Sequence, residues 1–357
     1  MISLAGGIPD AMLFPHAELA ELAASMLSNP SGEALQYGET AGSPVVRTVL
    51  AAQFGPGVDP SNVVVTTGSQ QALHLFALAL LRPGDDVVVG DPDYLGALQV
   101  FRSAGARLHG IPIDKDGLDT VALERRLRRG LRPACCYYVP SFHNPTGATM
   151  SPERRRHLYD LAERYEFLLL EDDPYRDLYF GQKTLHVGGP ERFTVALRTT
   201  SKVLAPGLRV GALHGPQWVV SAVVKRKQSV DLHTSALSQS LAAAALTSDW
   251  FPGHLSTLRE RYAAKRDVLL GALDSAFGDD VDFVVPSGGM FAWVSFRGID
   301  TTAWLPEAID RGVCFVPGSA FGVDQDFANA ARLCFASATH AELERAVEIL
   351  ASITVRC

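Results

Sequence analysis

Thr199-Thr200-Ser201-Lys202-Val203-Leu204-Ala205-Pro206-Gly207-Leu208-Arg209 sets one lysine between hydroxyl-bearing residues and an apolar run, with an arginine seven residues further on. A solvated surface lysine is the ordinary reading of any single lysine. The apolar, hydroxyl-lined setting disfavours a solvated cation and draws the amine toward its neutral, imine-forming state. Arg209 adds a planar fork of donors suited to a phosphate dianion, which lysine cannot match.

Around this stretch, from about Asn62 to Gly215, short apolar runs alternate with amphipathic ones. Val63-Val64-Val65, Val87-Val88-Val89, Cys135 to Val139, Phe167 to Leu170 and Val210 to Leu213 read as strands buried on both faces. Helices between them imply an α/β fold on a parallel sheet. Leu73 to Leu81, apolar almost all round, predicts a central helix, and Ser151-Pro152-Glu153 an N-cap with proline at the first helical position. After about Ser248 the pattern becomes α+β. It has a long helix from about Gly253 to Ala276, strands near Phe283, Met290 to Phe296, Val313 to Val316 and Arg332 to Phe335, and a last helix opened by the capping box Thr339-x-x-Glu342. Without a repeat or a Gly/Ser-rich linker, the two parts are expected to pack together.

The chain has 357 residues, 47% hydrophobic and 20% charged, enough for a sizeable core and too apolar for disorder. Lys and Arg total 32 against 39 Asp and Glu, which argues against a nucleic-acid footprint and for a small partner. Five cysteines (Cys135, Cys136, Cys314, Cys334, Cys357), odd in number and without a C-x-x-C pair, read as reduced, mostly buried thiols. The first residues lack a basic n-region and a long apolar h-region, and no run is long enough to span a bilayer. A soluble, cytoplasmic protein is expected.

Other candidates sit at the ends of the strand-like runs, where open α/β sheets bind ligands. Val63-Val64-Val65-Thr66-Thr67 runs into Gly68-Ser69-Gln70 and a helix, whose free N–H groups suit an anion; Ser69 as a plain N-cap is the alternative. Asn144-Pro145-Thr146-Gly147 is either a turn or a turn whose Asn144 amide donates to a ligand oxygen. Glu171-Asp172-Asp173-Pro174-Tyr175 is a solvated loop, a divalent-metal site or a set of carboxylates placed to meet a cationic ring nitrogen. Arg332, within Ala331 to Phe335, snorkels, pairs with an acid, or seats a substrate carboxylate.

In order and spacing these segments resemble the class I/II aminotransferases of pyridoxal 5′-phosphate (PLP) fold type I. The likeness is strongest to the branch with 2-aminoadipate aminotransferases and the aminotransferase-like domains of MocR-type regulators. Further segments carrying it are Ala5-Gly6-Gly7-Ile8-Pro9, Leu35-Gln36-Tyr37-Gly38, Asp91-Pro92-Asp93-Tyr94, Gly288-Gly289-Met290-Phe291 and Val316-Pro317-Gly318, so that it spans essentially the whole chain. It implies a large PLP-binding domain (15–247) with a mainly parallel seven-stranded sheet, a small α+β domain (248–357), an N-terminal arm (1–14) serving the small domain and active site, and a homodimer. It also implies that Lys202 forms the internal aldimine and moves the substrate Cα proton, that Asp172 keeps the pyridine nitrogen protonated, and that Tyr94 stacks on the ring. Asn144 and Tyr175 would bind the phenolic oxygen. Gly68, Ser69, Gln70, Thr199, Ser201 and Arg209 would hold the phosphate, joined by Tyr37 from the neighbouring subunit. Arg332, with Asn144 and Gly7, would bind the substrate, and no metal is implied.

There are departures. The chain begins almost at Ala5-Gly6-Gly7, His143 stands where many relatives have Gln, Thr199-Thr200 replaces a common Ser-Phe, and Ser43 a common aromatic. The reading is an aminotransferase acting between an L-amino acid and a 2-oxo acid. Two rivals stay open: a PLP enzyme that diverts the same carbanion to oxygen-dependent deamination, cyclisation or elimination, with His143 as an extra acid/base, and a non-catalytic PLP-binding effector domain.

Overall fold

The computed structural model describes residues 1–183 and 189–354. Strand β1 (Ile2–Ser3) and helices α1 (His16–Leu27) and α2 (Pro44–Ala51) lead in. Strands and helices then alternate through β2 (Val63–Thr66), α3 (Gly68–Leu80), β3 (Asp86–Asp91), α4 (Leu95–Ser103), β4 (Arg107–Asp114), β5 (Gly117–Leu118) and α5 (Thr120–Arg128). They continue as β6 (Cys135–Tyr138), α6 (Pro152–Tyr165), β7 (Leu168–Asp172), β8 (Thr194–Thr199), β9 (Gly211–His214), α7 (Gln217–Val230) and α8 (Ala236–Thr247). The rest comprises α9 (Phe251–Phe277), β10 (Val281–Phe283), β11 (Phe291–Phe296), α10 (Thr301–Asp310), β12 (Val313–Cys314), β13 (Val316–Pro317), β14 (Ala330–Cys334) and α11 (His340–Thr354).

The large sheet runs β2-β9-β8-β7-β6-β3-β4-β5. Neighbours from β8 to β4 are parallel, and β9 is antiparallel to both β2 and β8. The expected seven strands are there, and the eighth, β5, is a two-residue return on β4. Burial on both faces shows in the alternation. Val87, Val89, Cys135, Tyr137 and Leu170 pack into one apolar layer, Val88, Cys136, Tyr138 and Leu169 into the other. Central α3 buries Leu73, Leu75, Phe76 and Ala77. Ser151 caps α6 by accepting from the Arg154 amide, and the Thr339/Glu342 capping box closes as expected.

Ser69 is not an N-cap. It lies in the first turn of α3, whose cap position is Thr67. The run Val313 to Val316 is not one strand either. It breaks at Phe315, because β12 pairs in parallel with β1 while β13 joins the antiparallel sheet β10-β11-β14-β13. Cys135, Cys136 and Cys334 are buried free thiols, Cys314 is half-buried and free, and Cys357 lies outside the described residues. Among the described residues no helix is long and apolar enough to cross a membrane.

Two carboxylates fasten the loop before β14 to the large sheet: Asp324 of the loop accepts from the Gly110 amide of β4 (3.2 Å), and Asp91 of the sheet binds three amides of the loop. Asp91, at the end of β3, accepts from the amides of Val323 (2.9 Å), Asp324 (3.1 Å) and Gln325 (3.0 Å). Removing it strands these donors at a partly buried junction, a cost of about 1–3 kcal/mol. Asp91→Ala is therefore expected to lower the unfolding free energy by about that amount and to speed amide exchange at 323–325 in hydrogen-exchange mass spectrometry; unchanged exchange there would remove Asp91 as a fastening.

Candidate active site

A cavity of about 530 Å³ opens where the carboxyl ends of β6, β7 and β8 and the start of α3 meet the N-terminal segment. Gly7, Ser69, Gln70, Tyr94, Asn144, Asp172, Tyr175, Thr199, Ser201, Lys202, Arg209 and Arg332 all line it, bringing together residues up to 325 positions apart.

Period-two alternation along β7 and just beyond it sorts the three acids, which are all buried and form no solvated loop. Glu171 and Asp173 meet the buried Arg198 of β8 (3.3 and 3.5 Å), and Glu171 also accepts from Tyr138 (2.9 Å). Asp172 alone lines the cavity. Its Oδ2 accepts from the Tyr137 hydroxyl at 3.0 Å, whereas Oδ1 is buried without a partner among the described residues. Burial pushes this carboxyl up to about 7, the Tyr137 hydrogen bond opposes the rise, and the Asp173 charge adds to it. Tyr137 is a functional residue that sequence reading passed over, since a tyrosine inside Cys135 to Val139 looks like core.

Lys202 Nζ donates to the Gly7 carbonyl at 2.8 Å. Burial lowers its pKa, and Arg332 and Arg209 push it the same way, toward a free amine. Arg332 reaches in from β14. One nitrogen donates to Asn144 Oδ1 (2.9 Å) and another to the Ala5 carbonyl, and its guanidinium lies over the rings of Phe291 (4.4 Å) and Phe321 (5.1 Å). With Asn144 Oδ1 so engaged, its amide nitrogen is the group left to donate. Tyr175 is buried beside it, and desolvation carries its phenol well above the usual range.

At the opposite end α3 begins without a side-chain cap, leaving its first-turn amides available. Arg209, in the left-handed region (φ 53°), donates to the Thr67 carbonyl at 3.3 Å. Gly68 does not line the cavity but permits this approach, because a Cβ there would lie 2.7 Å from the Arg209 guanidinium. Thr199 Oγ1 donates to Ser201 Oγ (3.0 Å), and the Tyr94 hydroxyl to Gln70 Oε1 (3.2 Å).

Two residues lie elsewhere. His143 is outside the cavity. Its Nε2 is 3.1 Å from Asp93 Oδ1 and its Nδ1 3.0 Å from Thr146 Oγ1, so it braces the Asn144 turn from behind and does not face the cavity as an extra base. Tyr37 is 80% exposed and packs edge-on against His233, so within one chain it is not part of the cavity.

The residues fit PLP. An unpartnered buried carboxylate oxygen suits a protonated ring nitrogen, a desolvated amine suits an aldehyde, and Arg209 with the α3 amides suits a phosphate.

Comparisons with known proteins agree. The family described as aminotransferase class I and II matches residues 1–350. Aromatic-amino-acid aminotransferase 1 of Thermococcus litoralis is 36% identical over 98% of this chain and 87% of its own length. A 2-aminoadipate transaminase of Thermus thermophilus is 38% identical over 94% of this chain and 86% of its own. The crystal structure of an alpha-aminoadipate aminotransferase from Thermus thermophilus, complexed with N-(5′-phosphopyridoxyl)-L-leucine, superposes with a TM-score of 0.94 at 36% identity, covering 100% of this chain and 92% of that one.

The raised Asp172 value sets a pH dependence. A carboxyl that holds its proton more tightly folded than unfolded contributes stability at low pH, lost as pH rises from 3.8 toward about 7. In cofactor-free protein this group is expected to take away roughly 4 kcal/mol between about pH 4 and about pH 8. Asp172→Asn should flatten the profile by that much in denaturant titrations; parallel profiles would show that Asp172 is not held in this state.

Proposed function

The chain belongs to the class I and class II aminotransferases, and we propose that the cavity residues share out the PLP-dependent transfer of an amino group from an L-amino acid to a 2-oxo acid as follows. The carrying observation is the buried Asp172 carboxylate, one oxygen unpartnered, in the same cavity as the desolvated Lys202. Bound PLP supplies a ring that accepts electrons from the substrate Cα once its proton has left. Asp172 holds the proton on the ring nitrogen, and Tyr137 holds Asp172. Lys202 retains the cofactor and moves the Cα proton. Arg332 takes the substrate α-carboxylate with Asn144 and the Gly7 segment beside it, and Phe291 and Phe321 keep water from that guanidinium. Asn144 and Tyr175 bind the phenolic oxygen, and Tyr94 covers the ring. Ser69, Gln70, Thr199, Ser201 and Arg209 hold the phosphate.

The domain division at 14/15 and 247/248 belongs to the same reading, supported by β1 pairing with β12 rather than with the large sheet. So does a homodimer in which Tyr37 reaches the partner's phosphate. Its support is a 37-region left open, with Leu35 69%, Tyr37 80% and Val45 72% exposed. Free, buried thiols support a cytoplasmic location.

Two outcomes test this function. Given an L-amino acid but no acceptor, the enzyme is expected to release one 2-oxo acid per site and stop, resuming when another 2-oxo acid is added, with Lys202→Ala slower by about 10³-fold or more. Sustained ammonia release with oxygen uptake would show the diverted chemistry instead. Separately, sedimentation should show a dimer, and Tyr37→Phe should raise the PLP Kd roughly tenfold; full PLP retention by a monomer would contradict the shared site.

A further inference from the structure

Lys227, near the end of α7, is among the largest fully buried side chains of the protein and does not line the cavity. A buried ammonium is tolerated only where its protons find acceptors. Here Nζ donates to both Asp231 oxygens (2.9 and 2.9 Å), to Gln71 Oε1 (3.0 Å) and to Thr234 Oγ1 (3.1 Å). Asp231 in turn accepts from Gln71 Nε2 (2.6 Å) and Thr67 Oγ1 (3.2 Å), and Gln71 Oε1 accepts from the Thr67 amide (2.7 Å).

The whole cluster converges on Thr67, the residue before α3. Its amide is held by Gln71, its hydroxyl by Asp231 and its carbonyl by Arg209. Threonine at this position ordinarily turns its hydroxyl onto the first-turn amides of the helix that follows. Thr67 does not: its hydroxyl is turned away from those amides and donates to Asp231. The first-turn amides are left open to an anion in consequence. Gly211 closes the other side: a Cβ there would stand 2.9 Å from the Ser69 nitrogen.

We propose that Lys227, through Asp231 and Gln71, is a positioning residue that holds Thr67 off the start of α3 and so reserves those amides for the cofactor phosphate. This rests on the PLP reading above. Lys227→Met frees Thr67 to cap α3 and to compete with the phosphate, while the ring and aldehyde contacts stay in place. The test is full-length protein titrated with PLP and with pyridoxal, which lacks the phosphate, followed by the visible absorbance of the bound cofactor. Lys227→Met should raise the PLP Kd at least about tenfold and move the pyridoxal Kd less than about twofold. Adding Thr67→Val, which deletes the competing hydroxyl, should restore part of the PLP affinity. If Lys227→Met does not fold, Asp231→Asn is expected to show the same selective loss. Equal losses for the two ligands, no loss, or no restoration by Thr67→Val would overturn the proposal. A wild-type chain that binds neither ligand would overturn the PLP reading, and this proposal with it.

Discussion

One buried carboxylate half satisfied by its own protein is the constraint around which the molecule is arranged. Asp172 sits at the end of β7, whose two faces are both covered, and among the described residues only the Tyr137 hydroxyl donates to its carboxylate. Its neighbours on either side, Glu171 and Asp173, are answered by Arg198 on the opposite face of the sheet. A net stability of about 5–15 kcal/mol leaves little room for an unanswered buried charge, so the chain folds around a deficit that a cationic ring nitrogen offsets.

The electrostatics of the cavity run against those of the whole. The chain carries a formal charge of −7, yet the cavity is lined by Lys202, Arg209 and Arg332 against the single acid Asp172. The phosphate, the amino-acid carboxylate and the 2-oxo acid are all anions, and low-dielectric walls focus a local positive field on them. That field is assembled from two ends, Arg209 beside α3 and Arg332 from β14.

Strands with apolar runs were legible in the sequence, because burial on both faces fills the middles of β2, β3, β6 and β7 with apolar side chains, the acids of β3 and β7 standing at the strand ends. β8 was less so, since Arg198 interrupts it, and nothing local tells that an arginine there will be neutralised by acids on the adjacent strand. Strand ends showed the same limit: Val313 to Val316 is one apolar run, but its halves serve different sheets because β1, three hundred residues away, claims the first. In the site, Lys202, Asp172, Asn144, Arg209 and Arg332 were found from their settings and from family resemblance. Tyr137 and Lys227 were not, because their importance lies in contacts with Asp172 and Asp231, partners that only the fold brings near.

The N-terminal segment gives two of its carbonyls to the working groups of the cavity, that of Ala5 to Arg332 and that of Gly7 to Lys202. Arg332 carries five N–H donors; Asn144 Oδ1 and the Ala5 carbonyl hold one each and Nε–H has no partner among the described residues, so a carboxylate can be taken while the segment keeps its hold on the guanidinium. Segment and substrate are thus held by one guanidinium, and whatever effect the hold on the first has on the second is returned in equal measure. Changes in residues 1–14 that touch no substrate atom would for this reason register as altered substrate affinity.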